Sequence, residues 1–152
     1  MHTMKQLFCK QLFSRRWLAL AWTSLLLACA QVAPATSPGL PPDLVGIWAD
    51  HSATLRNNRW LVSGQALYLA ADGSGAIVAG PPPIGMRIQA TFNAQQNVLS
   101  IQLIEKGQVI KTVQAPYHPG NKTIDIGSAA KPQPLAKRSD VMDARLKQGL
   151  GL

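Results

Sequence analysis

The sequence predicts an all-β domain: an antiparallel meander of about seven short strands that closes, or nearly closes, into a small barrel, with a short helix at its C-terminal end. Three observations carry this expectation. Between Ile84 and Asn93 the residues Ile84, Met86, Ile88, Ala90 and Phe92 alternate with Gly85, Arg87, Gln89, Thr91 and Asn93, and a period of two marks a strand with one wet face. Turn residues recur every few positions on either side of it. No segment between strands is long enough for a helical crossover, so neighbouring strands must run antiparallel. A sheet with one apolar face and open edges has to close on itself, fold into a sandwich or be covered, and a small barrel is the favoured solution.

In chain order, the first strand falls on Asp43-Leu44-Val45-Gly46-Ile47-Trp48, and residues 51–59 are polar and ambiguous. Leu67, Tyr68 and Leu69 lead through Asp72-Gly73-Ser74-Gly75 into Ala76–Ala79, a hairpin pattern in which Asp-Gly supplies the positive φ values of a tight turn. Pro81, Pro82 and Pro83 end that strand, because proline cannot donate to a ladder, and they belong in a loop or on an edge. After Ile84–Asn93 and the turn Ala94–Asn97, Leu99, Ile101 and Leu103 continue the alternation, and Glu105-Lys106-Gly107 turns the chain again. Val109–Val113 makes the next strand, Pro116–Asn121 breaks the pattern, and Thr123–Ile126 makes the last. Ile88, Phe92, Leu99, Ile101 and Leu103 are expected to point inward together. The stretch from Gly127 to Pro134 reads as a linker, and Ser139–Gly149 as a short helix capped by Ser139 or Asp140, with Val141, Ala144 and Leu146 as its apolar stripe.

Ahead of the domain, Lys5, Lys10, Arg15 and Arg16 precede an apolar run, Trp17–Ala28, without an acidic residue before Cys29. The run is shorter than the roughly 20 residues a spanning helix needs, which favours a secretory signal over a membrane anchor. Leu26-Leu27-Ala28-Cys29 resembles the lipobox of bacterial prolipoproteins. The resemblance implies cleavage after Ala28 and a diacylglyceryl group on the Cys29 thiol, with acylation of the new amine. Two or three chains at about 0.8 kcal/mol per buried methylene make such an anchor persistent. Ala30, where this family commonly carries aspartate in proteins kept at the inner membrane, implies the inner leaflet of the outer membrane, facing the periplasm.

The resulting division is a signal segment at 1–28, a proline-rich flexible linker at 29–42, a barrel domain at 43–127, and a linker with a short basic helical tail at 128–152. Cys9, the one other cysteine, falls in the segment that would be removed, so the domain depends on its own core.

Gly46-Ile47-Trp48 at the domain's start, followed by a leucine-rich strand running into Asp72-Gly73 and then a meander, looks like small lipocalin-like domains. That likeness implies a barrel enclosing a ligand, although Ile, Leu, Val, Met and Phe are equally suited to filling its interior.

The whole chain carries a formal charge of +8, but Lys5, Lys10, Arg15 and Arg16 account for four of those charges, leaving +4 beyond the signal segment. An exported, nearly neutral core argues against nucleic-acid binding. Beyond Cys29 there is no cysteine nucleophile, no Gly-x-Ser-x-Gly elbow and no phosphate loop. Asp50-His51-Ser52 has the residue types of a triad, yet adjacent residues of an extended chain point to opposite faces. His51 and His118 lack metal-ligand spacing and read as loop residues. No enzyme activity, metal or cofactor is expected.

The function expected is a lipid-anchored binding module for a small apolar ligand, a peptide or an envelope protein. The alternatives are a structural or accessory envelope lipoprotein and an inhibitor of a periplasmic enzyme. Trp48, Trp60 and the loop Pro81-Pro82-Pro83 make the candidate interaction surface, since tryptophan is enriched at binding hot spots and a proline loop loses little entropy on docking. The competing expectation is that both tryptophans pack in the core.

Overall fold

The computed structural model describes residues 39–128 and 130–152. Leu26, Leu27, Ala28 and Cys29 lie outside the described residues, as does most of the proline-rich spacer. The described chain begins with a 3-10 turn, Pro42–Leu44, and continues through β1 (Gly46–Ala49), β2 (Thr54–Arg56), β3 (Trp60–Leu69), β4 (Ser74–Gly80), β5 (Ile84–Asn93), β6 (Val98–Glu105), β7 (Gln108–His118), β8 (Thr123–Asp125), β9 (Pro134–Ser139) and α1 (Ala144–Gly149).

Each strand from β3 to β9 pairs antiparallel with the next, and β1 closes the circuit by pairing with β9 on one side and β3 on the other. The result is a closed barrel of eight strands, with β2 added to residues 60–63 at the start of β3. Closure removes the long open edges that a meander of this length would otherwise present.

The strand pattern departs from the sequence expectation in several places, among them β3, which begins at Trp60 and not at Leu67. β2 lies inside the ambiguous segment: its three residues are too few to mark a period, with only Leu55 partly buried, and its turn to β3 uses Asn57 and Asn58, both at φ 53°. β7 runs through Pro116, because β8 pairs only with Tyr117 and His118 and leaves the proline nitrogen without a ladder to join. The predicted start at Asp43 belongs to the 3-10 turn instead, where Pro42 suits the first position and Leu44 is fully buried.

The largest correction is β9. The barrel does not end at Gly127, since Leu135 pairs with Ile124 and is fully buried, while Lys137 pairs with Trp48. The stretch read as a linker is the loop of a hairpin, pinned where the Asp125 carboxylate accepts from Gly127 N at 3.0 Å and from Gln133 N at 2.7 Å. Because Ser139 pairs with Ile47, the helix starts later than predicted. Its cap is Asp143, whose Oδ1 accepts from Leu146 N at 2.8 Å.

Two apolar clusters result, one on each side of the barrel wall. Inside, Leu44, Trp48, Leu67, Leu69, Ile88, Leu99, Ile101, Tyr117, Ile124 and Leu135 pack together, with Phe92 and Leu103 partly buried against them. The inward phase predicted for β5 and β6 is the observed one. Ile84 shares that phase but sits at the first residue of β5, beside the proline turn, and is 72% exposed.

Outside, Ile47, Ala49, Ala66, Tyr68, Ala76 and Val78 form an apolar patch on β1, β3 and β4, covered by Leu61 and by Leu146 of α1, with Leu55, Met142 and Leu150 at its margin. The helix therefore docks through Met142, Leu146 and Leu150, while Val141, predicted to lie on its apolar stripe, is 49% exposed.

The outer cover exists because β3 bends. Gly64 stands at φ +92°, a value that side-chain-bearing residues rarely adopt. A Cβ there would come within 2.7 Å of the Ala53 Cα. Ahead of the bend β3 pairs with β2, and beyond it with β1 and β4. The two halves face each other closely enough for the Tyr68 hydroxyl to accept from Leu61 N at 3.0 Å and donate to the Arg59 carbonyl at 2.8 Å.

Candidate functional site

The predicted interaction residues divide into two groups. Trp48 is fully buried inside the barrel, donates from Nε1 to the Leu44 carbonyl at 2.9 Å, and meets Tyr117 edge-on with ring centroids 5.9 Å apart. It is a core residue and is removed from the candidate surface. The reason is its register: Trp48 occupies the inward phase of β1, between Ile47 and Ala49 on the outward phase.

Trp60 takes the other course. As the first residue of β3 it lies on the outer cover of the barrel, 36% exposed, and shares two adjoining concavities with Pro83. Pro81 and Pro82 are exposed in the same turn between β4 and β5. The surface that forms is thus Trp60 with the proline turn, on the outer wall.

One of these concavities is a groove of about 250 Å³ whose apolar floor is Leu61, Ala76, Val78 and Leu150. The other, of about 500 Å³, continues over Val62 towards Arg56. Trp60 is held by the C-terminal helix: Gly149 lies so close to the indole that any side chain there would collide with it. Arg59, next to Trp60, pairs with Asp143 at 2.6 Å and ties the start of β3 to the helix cap. Asp143 therefore uses one oxygen to cap the helix and the other to anchor it. Burial pushes the Tyr68 hydroxyl upward from its ordinary pKa, against the bond from Leu61 N, and so keeps it a neutral partner beneath this cover.

Several participants escaped the sequence reading. Trp60 and Val62 alternate on one strand face, but the hairpin pattern that predicts β3 begins only at Leu67. The spacing of Met142, Leu146 and Leu150 at four-residue intervals was the available signal for a docking face. Arg87 and Arg145 reach the site only through tertiary packing.

The barrel's opposite end carries a wider concavity, about 570 Å³, around Leu40, Asp43, Lys122, Lys137 and Asp140. Its polar groups already answer one another, since Lys137 pairs with Asp140 and donates to the Asp43 carbonyl at 2.6 Å. In the Asp50-His51-Ser52 segment, the Ser52 hydroxyl donates to Asp50 Oδ1 at 2.7 Å without an intervening imidazole. His51 offers its backbone carbonyl to Arg138.

Comparison with protein-family models, with curated proteins and with solved structures gave no match for this chain.

Proposed function

We propose that this chain is a lipid-anchored, non-catalytic binding module of the cell envelope, facing the periplasm, that engages a protein or peptide through the outer wall around Trp60. The observation that carries the contact surface is the contrast between the two tryptophans of the barrel. Trp48 is consumed by the core, while Trp60 is held partly open over an apolar groove by Pro83 and Gly149. The interior is occupied by Trp48, Tyr117, Leu99, Ile101 and their neighbours, which favours the outer wall over an enclosed apolar ligand. The anchoring half of the reading rests on Leu26-Leu27-Ala28-Cys29.

Two measurements test the two halves. Mass spectrometry of the purified protein should find a diacylated Cys29 as its first residue, and an unmodified cysteine or another start removes the anchor. A photo-crosslinking residue at Val62 should trap an envelope protein that the same residue at Ile110 does not. Ile110 is 51% exposed on β7, away from the groove, and equal trapping at both positions removes the proposed surface.

A further inference from the structure

The charges around Trp60 are unevenly placed. The described chain has five arginines, and four of them, Arg56, Arg59, Arg87 and Arg145, line the concavities that contain Trp60. Among the described residues no lysine lines them, and Asp143 is the one acid that does, already paired with Arg59. Arg56, Arg87 and Arg145 are exposed. The remaining acids are distributed elsewhere: Asp43 and Asp140 at the opposite end, Asp72 in a turn, Glu105 at the end of β6, and Asp125 and Asp50 bonded to backbone amides. An apolar centre rimmed by guanidinium groups, with its single carboxylate neutralised, is complementary to a ligand that is both apolar and anionic.

The backbone narrows the class further. Arg56 is the cross-strand partner of Trp60, so both project from the same face of the β2–β3 hairpin, and β2 is paired on one side only. An unpaired strand edge is a template for an extended peptide, whose side chains then alternate between the surface and solvent. Building on the binding surface proposed above, we infer that the Trp60 face receives an extended acidic segment of a partner protein. Apolar side chains of that segment enter the groove between Trp60 and Pro83, and its carboxylates pair with Arg56, Arg87 and Arg145. The concave groove and the strand edge favour a peptide over a flat lipid surface, which would meet the arginines but leave the groove unfilled.

The test uses the full-length protein and fluorescence anisotropy of a labelled short peptide that alternates Glu and Val. This peptide should bind, lose affinity steadily as salt rises, and outcompete a Ser-Val peptide of equal length. Reversing two charges, Arg56→Glu with Arg87→Glu, should weaken binding at least about tenfold and transfer preference to a Lys-Val peptide. Arg138→Glu, a reversal away from the groove, should leave it unchanged. Equal affinity for the Glu-Val and Ser-Val peptides overturns the inference. So does binding of phosphatidylglycerol vesicles that depends on the same arginines while the peptide stays free.

Trapping at Val62 in envelope extract separates the two levels. If it persists in the charge-reversed variant, the surface stands and its acidic occupant falls. If it is absent from the native protein as well, both fall.

Discussion

Lys137 holds its ammonium 5.4 Å from the centroid of the Trp48 ring and, with the same group, donates to the Asp43 carbonyl. Trp48 in turn donates to the Leu44 carbonyl, so two side chains on paired strands each grip the backbone of the 3-10 turn that covers this end of the barrel. The contact joins the first strand to the last and to the turn preceding both. It closes the barrel in sequence as well as in space.

Lys137→Met, which keeps the aliphatic stem but removes the charge, should cost about 1–2 kcal/mol, since it takes away a cation–π contact and a charged hydrogen bond, while the pair with the exposed Asp140 carboxylate adds little. Trp48→Phe should cost more, because it also leaves the buried Leu44 carbonyl without its donor. Denaturant unfolding gives both values. Hydrogen exchange at Leu44 N and Val45 N should speed up in each variant. Unchanged exchange with lowered global stability would mean that the turn does not depend on these grips.

The core phase makes a second, comparative prediction. Ile101→Ala should cost about 2–5 kcal/mol, since the side chain is fully buried, and Phe92→Ala about 2–3, since Phe92 is half-buried against Tyr117 with ring centroids 6.1 Å apart. Arg87→Ala, on the opposite face of β5, should stay within about 0.5 kcal/mol. Thermal unfolding ranks the three. A loss at Arg87 matching that at Ile101 would contradict the register seen between β5 and β6.

What the sequence disclosed follows from where each strand buries its side chains. β5 and β6 have one wet and one dry face along most of their length, so their period and turns were legible to within a residue. β2 and β9 are short, and their places in the sheet come from partners beyond the strand itself: Thr54 from Ser63 across the Asn57-Asn58 turn, and Leu135 from Ile124 across a loop. Local alternation cannot report such pairings.

Trp48 and Trp60 look alike as residues beside turns. Only closure of the barrel separates them, sending one inside and leaving the other on the outer cover. The arginine rim was invisible for the same reason, since Arg56, Arg87 and Arg145 are far apart in the chain and meet only once β3 has bent and α1 has docked.

That bend supports a third prediction. Gly64→Ala places a methyl group at φ +92° against Ala53 and the Asp50 carboxylate, so it should destabilise the domain by more than about 1 kcal/mol. The outer cover should suffer first. Trp60 fluorescence should become more accessible to acrylamide at temperatures where the interior cluster still unfolds cooperatively. Gly149→Ala, which forces the indole from its seat without touching the barrel wall, should reproduce the accessibility change with a smaller loss of stability.

Acid should act on the same corner. Burial raises the pKa of Asp50, but bonds from the Ser52 hydroxyl and the Gln65, Ser52 and Ala53 amides outweigh it and hold the carboxyl below its ordinary value of 3.8. Asp72 is also depressed, first by the Ser74 hydroxyl, against a smaller rise from burial and with help from the Ser74 amide and Lys147 of the helix. A carboxylate whose pKa is lower folded than unfolded contributes stability above its unfolded value and loses it as pH falls through its folded one. The melting temperature should therefore change little between about pH 7 and 5 on account of these groups and decline below about pH 4.

Asp50→Asn tests the assignment, because the amide keeps one acceptor oxygen and turns a donor towards either Gln65 N or Ser52. It should cost about 1–2 kcal/mol at neutral pH, discounted for the site's partial exposure, and should flatten the decline below pH 4. Melting curves of the two proteins that fall in parallel across that range would show that Asp50 is not the group that titrates.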